Sequence, residues 1–85
     1  MSVEDKQLLR ELTRELNRRS NIDISDIRLG VTRGVAYIGG IIRPSLGELV
    51  DPKTEGEHIK EAVKRIPNMK DVMFDAKFEI STKRL

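Results

Sequence analysis

The chain has no cysteine and no tryptophan, one histidine, one tyrosine and two phenylalanines. Without cysteine there is no disulfide stapling, no thiol nucleophile and no thiolate metal site. With so few aromatics there is little material for stacking nucleic-acid bases. Charge of one sign is also scarce, since 16 Lys and Arg stand against 14 Asp and Glu, a net +2. Nucleic-acid binders usually cluster a basic excess on one face, whereas here the signs mostly interleave. No stretch approaches the roughly 18 apolar residues of a membrane span. Met-Ser-Val-Glu-Asp-Lys, at the start, is charged and lacks an apolar signal region. A cytoplasmic location is expected if the chain is full length, and an envelope or periplasmic one if a leader was removed. At 85 residues, one domain with a thin core is expected, burying about 60–65% of the surface its unfolded chain exposes.

What is present is periodicity. Ser2 with Asp5 suggests a capping-box start, and Leu8, Leu9, Leu12 and Leu16 recur at three- and four-residue steps, the stripe of an amphipathic helix. Glu4 and Asp5 in the first turn, with Arg18 and Arg19 in the last, complement the helix dipole. A helix over 3–19 follows. Ile24, Ile27, Leu29 and Val31 predict an extended segment, and Thr32-Arg33-Gly34 a hairpin turn. Residues 35–42 are apolar on both faces, as in a central or doubly covered strand. Gly39-Gly40 within it allows a bulge or a close backbone approach. A loop spans Arg43 to Lys53. Thr54 with Glu57 resembles a second capping box. Ile59, Ala62, Val63 and Ile66 then mark a second helix, ended by Pro67-Asn68. Val72, Phe74, Ala76, Phe78 and Ile80 alternate with Met73, Asp75, Lys77 and Glu79, a half-buried strand. The fold expected is α+β, a two-layer α-β-β-α-β sandwich with two helices on one face of a three-stranded sheet. Whether strand three pairs with strand one or strand two stays open.

Within that order, Gly34-Val35-Ala36-Tyr37-Ile38-Gly39-Gly40 resembles the Gly-x-Val-x-Leu-x-Gly hairpin strand of the BON domain. Ile66-Pro67-Asn68-Met69-Lys70-Asp71-Val72 is similar to that family's Val-Pro-Gly-Val-x-x-Val link, with Asn68 for Gly and Met69 for Val. Residues 22–27 resemble its entry into strand one. The resemblance covers roughly residues 3–80 of what reads as a single domain, 1–85. It departs from the family at Pro44 to Pro52, where a short polar turn is usual. The resemblance implies a non-catalytic module that binds membrane phospholipid or another ligand.

The residues themselves offer little chemistry. His58 lies beside the apolar stripe of the second helix, and no cluster of further metal ligands accompanies it. The carboxylate pairs Glu48 with Asp51 and Glu55 with Glu57 are better explained by capping and solvation than by acid–base work. No glycine precedes a helix in a phosphate-loop pattern. Arg10, Arg14, Arg18 and Arg19 line one side of helix one, but Glu11 and Glu15 interleave with them. No enzyme, cofactor or metal is expected. The leading expectation is a binding module for anionic phospholipid or a related acidic ligand. Its surface is Leu46, Leu49, Val50 and Lys53 in the loop, with Lys60, Lys64 and Arg65 on helix two. The three apolar loop residues either dock outward or fold back over the open end of the sheet. A protein-interaction or oligomerisation module using the solvent face of strand three is the alternative, and nucleic-acid binding stands behind both.

Overall fold

The structure is a computed structural model, and it describes residues 3–45, 47 and 49–79. Helix α1, Val3–Asn17, buries Leu8, Leu12 and Leu16 along one stripe. It ends two residues before the expected position, so Arg18 and Arg19 lie beyond it. Asp5 is buried in the first turn and accepts the backbone N–H groups of Arg33 and Gly34 at 3.0 and 3.2 Å. Its expected capping partner Ser2 lies outside the described residues. The two N–H groups belong to a tight turn in which both residues have positive φ, 53° and 82°. Such a turn matches the twist of the hairpin it closes, and the carboxylate holds it against the helix.

The first extended segment is split. Strand β1, Ile22–Asp23, and strand β2, Ile27–Thr32, both pair antiparallel with β3, Val35–Pro44. Between them Ser25 donates its N–H to Asp23 Oδ1 at 3.0 Å, and the chain kinks. Gly40, with φ 93°, meets the kink, and any β-carbon there would collide with the Asp26 carbonyl. The close approach expected at the paired glycines is therefore real at Gly40. Strand β4, Asp71–Phe74, and strand β5, Lys77–Phe78, pair parallel with the other side of β3. The sheet is mixed and β3 is its centre, which settles the pairing of the last strand. One face of β3 is covered, with Ala36, Ile38 and Ile42 buried, while Tyr37 and Ile41 face outward. The doubly covered alternative is thus corrected: both helices lie on the same side.

Helix α2, Pro52–Lys64, starts at Asp51 rather than Thr54. Asp51 is the N-cap and Pro52 the first helical residue, a pairing that fixes φ and satisfies a free N–H. Thr54 donates to the same carboxylate from its N–H at 3.3 Å and from its hydroxyl at 2.5 Å. The hydroxyl bond, first, and the N–H bond hold the Asp51 carboxyl below its usual range. The helix ends at Lys64, ahead of Pro67, and Asn68 takes φ 72° in the turn that follows. Ile59, Val63 and Ile66 pack with the α1 leucines over Ile22, Val31, Ala36, Ile38 and Ile42. Val72, Phe74, Ala76 and Phe78 close that core from the β4–β5 side, while Met73, Asp75, Lys77 and Glu79 are exposed. Ile80, the expected last residue of the strand, lies outside the described residues.

Candidate ligand groove

Residues 53, 56, 57, 60 and 64 fall on one shoulder of α2, by the three- and four-residue steps of a helix. That shoulder borders β4 and β5. Pro52, Lys53, Gly56, Glu57 and Lys60 form one wall of a shallow groove of about 320 Å³, and Phe74 and Phe78 form its floor. The two rings are spaced by the strand period, so both point to the covered face of the sheet. They stack with centroids 6.2 Å apart and planes 19° from parallel. Gly56 faces the floor at close range: a β-carbon there would make an ordinary contact with the Phe78 ring at 3.7 Å. The groove thus has an aromatic floor and a wall that carries two lysines and one glutamate.

Its charge is available. Lys53 is exposed, and the described structure gives it no ion pair. Lys60 pairs only with Glu57, at 3.6 Å, both ends being open to water. Such a pair contributes at most about 1 kcal/mol and yields readily to a competing anion. Two residues before the helix cap, Leu49 is 99% exposed. Its neighbour Val50 turns inward and packs against the core. The loop therefore answers its two readings separately, with Val50 folded back and Leu49 free. Leu46, expected to act with them, lies outside the described residues, as does Glu48. Lys64 and Arg65 are exposed at the far end of the helix, away from the groove lining. Of the residues singled out in sequence, the fold gathers Lys53 and Lys60 on the wall, with Leu49 beside the helix start, and leaves Val50, Lys64 and Arg65 apart. Phe74 and Phe78 were read only as core, although their alternation with charged residues does place them on the covered face.

Glu55 was not legible as a buried acid. It is 5% exposed, and Arg19 Nε and Asn21 Nδ2 donate to its two oxygens at 2.5 and 3.0 Å. Burial pushes its carboxyl up, but the bonds from Arg19 and Asn21 and the nearby positive charge of Arg19 and His58 outweigh it and leave it below the ordinary value. The solvated-carboxylate reading of Glu55 is therefore corrected. This cluster ties the start of α2 to the end of α1. A larger depression of about 450 Å³ lies at the opposite end, among Glu4, Asp5, Leu8, Arg33, Asn68 and Lys70. Its charges are of both signs, and its buried acid is the one that holds the 33–34 turn. His58 is exposed, and among the described residues no group of three metal-ligating side chains gathers. Just past the N-terminal helix, Arg18 pairs with Glu15 at 3.2 Å and Arg19 turns to Glu55, so these two do not continue a basic row with Arg10 and Arg14. No described helix is long and apolar enough to cross a membrane. No protein-family model matches the chain, and a search of curated proteins returns no match.

Proposed function

We propose that this chain is a non-catalytic binding module that engages anionic phospholipid at a membrane surface through the α2 groove. The observation that carries the reading is the juxtaposition of Lys53 and Lys60 over the Phe74–Phe78 floor, beside the fully exposed Leu49. Lys53 and Lys60 offer a lipid phosphate two ammonium partners, with Glu57 between them as the competitor it must displace, and the lysine and phenylalanine hydrocarbon faces the glycerol and upper acyl region. Leu49 enters the interface ahead of the helix. Each lysine near an anionic bilayer contributes about 1 kcal/mol, and one leucine adds at most about 1.5–3 kcal/mol when fully withdrawn from water. Binding built this way is weak, reversible and strongly dependent on salt. The BON-like order of elements supports the same class of role.

An amide NMR titration of the chain tests it, with vesicles of anionic lipid and of purely zwitterionic lipid. Selective shifts at Leu49, Lys53, Gly56, Lys60, Phe74 and Phe78 with anionic vesicles alone are expected. Silence with both vesicle types, or equal shifts with both, overturns the reading.

A further inference from the structure

Among the described residues, no helix or strand covers the face of the sheet turned away from the helices, and its rows are fixed by strand register. Gly30, Tyr37 and Met73 form one row across β2, β3 and β4. In the next row Arg28 lies level with Gly39. On the other side the register that pairs Ile38 with Phe74 resumes unchanged at Ile41 and Lys77, which sets Asp75 level with Gly39 as well. Arg28 and Asp75 therefore occupy opposite margins of a single row.

The relief of the face matches this charge pattern. Tyr37 lies flat along the central strand, its ring covering Gly39, where a β-carbon would collide with it. Ile41 continues the strip, and the two are 37% and 39% exposed. On one margin Met73 stands out, 59% exposed. On the opposite margin of the same row Gly30 carries no side chain, and the space where a β-carbon would sit is open, with no atom within 4 Å.

We propose that this face seats a second copy of the chain, related by a two-fold axis running along β3. That operation exchanges the margins of the sheet and keeps each row at its own level. It lays Tyr37 on Tyr37 and Ile41 on Ile41 at the axis. Met73 of each copy lies over the bare backbone at Gly30 of the other. Arg28 of each copy meets Asp75 of the other, and neither side chain has an ion pair within the described chain. A two-fold contact must be self-complementary in this sense, and face-to-face sheets pack about 10 Å apart, a gap these side chains span. Three strands of about six residues give a face of roughly 15 by 20 Å per copy. That is below the standard interface size and places the dimer in the weak, concentration-dependent class. The site lies on the opposite side of the sheet from the α2 groove, so it stands or falls independently of lipid binding.

Sedimentation velocity of the chain from about 10 μM to about 1 mM tests the proposal, with the variants R28D, D75R, the double exchange R28D/D75R, and G30Q. The wild type is expected to shift from monomer to dimer over that range. R28D, D75R and G30Q should each weaken association about tenfold or more, and the double exchange should regain most of the loss because it rebuilds the pair with signs reversed. Circular dichroism of each variant shows that an exposed substitution has left the fold intact. A monomer at every concentration overturns the proposal. So does a dimer indifferent to R28D and G30Q, or a double exchange no better than the single ones.

Discussion

Three glycines within one sheet carry three different demands. Gly40 has φ 93° and backs onto the Asp26 carbonyl, so Gly40→Ala meets both an unfavourable backbone region and a backbone collision. A loss of about 2–4 kcal/mol is expected, read as a lower urea midpoint. Gly30 has open space and no positive φ, so Gly30→Ala should raise stability by about 0.5–1 kcal/mol when measured at low protein concentration. The sequence marked the Gly39-Gly40 pair as special, because glycine inside an apolar strand asks for a reason. It could not separate the two, since which one meets the kink depends on where β1 stops and β2 begins. The Arg19–Glu55 contact was less accessible still. The two residues are far apart in the chain, and a glutamate in the first turn of a helix reads as a dipole partner. Arg19→Ala should cost about 1–3 kcal/mol by leaving the Glu55 carboxylate without its strongest partner. The folded Glu55 titrates below its ordinary value of 4.5. Its contribution is therefore fully present above that pH and is lost as pH falls through the lower, folded value. Glu55→Gln should flatten that part of the acid limb in a stability profile measured between about pH 2 and 6.

At the scale of elements, the helices and the central strand were the most legible parts, since a leucine stripe or an eight-residue apolar run allows few alternatives. Boundaries were less so. Helix α2 begins three residues earlier than the Thr54–Glu57 pattern suggested because Asp51-Pro52 is a better start, and Thr54 then serves Asp51 instead of capping the helix itself. Asp51→Ala should lower stability by about 0.5–2 kcal/mol, visible as a drop of several degrees in Tm for a domain of this size. Asp51→Asn should recover most of it, because asparagine caps nearly as well. The predicted first and last strands became β1–β2 and β4–β5 segments; for the first, the Asp23–Ser25 turn facing Gly40 at φ 93° supplies the kink, and the sequence shows length but not curvature. The groove was half legible. The lysines and Leu49 stood out as polar and apolar oddities, but the Phe74–Phe78 floor depends on how closely α2 approaches the sheet, a tertiary distance that no local residue pattern states.

For the molecule as a whole, the residues that hold the fold and those proposed to meet a bilayer overlap only at Phe74 and Phe78, and the division between the rest can be tested. Leu12 is fully buried among the α1, α2 and sheet contacts, whereas Leu49 touches almost nothing. The two leucines should separate stability from binding. Leu12→Ala should cost about 2–5 kcal/mol, a large share of the total for so small a domain. Leu49→Ser should leave the unfolding midpoint unchanged within about 0.5 kcal/mol and weaken sedimentation with anionic vesicles. The double substitution Lys53→Gln with Lys60→Gln removes the two charges proposed to face a bilayer, at about 1 kcal/mol each. It should lower vesicle affinity by about thirtyfold and flatten its dependence on salt, because exposed charge–charge attraction is what salt screens. Both effects should appear without a change in fold, since neither lysine is part of the packed core. A wild-type affinity that survives a rise from about 0.1 M to 1 M salt, where the screening length falls to about 3 Å, would show that apolar insertion at Leu49, not the lysine wall, holds the chain to the surface. The α2 groove would then guide orientation and leave adhesion to the loop.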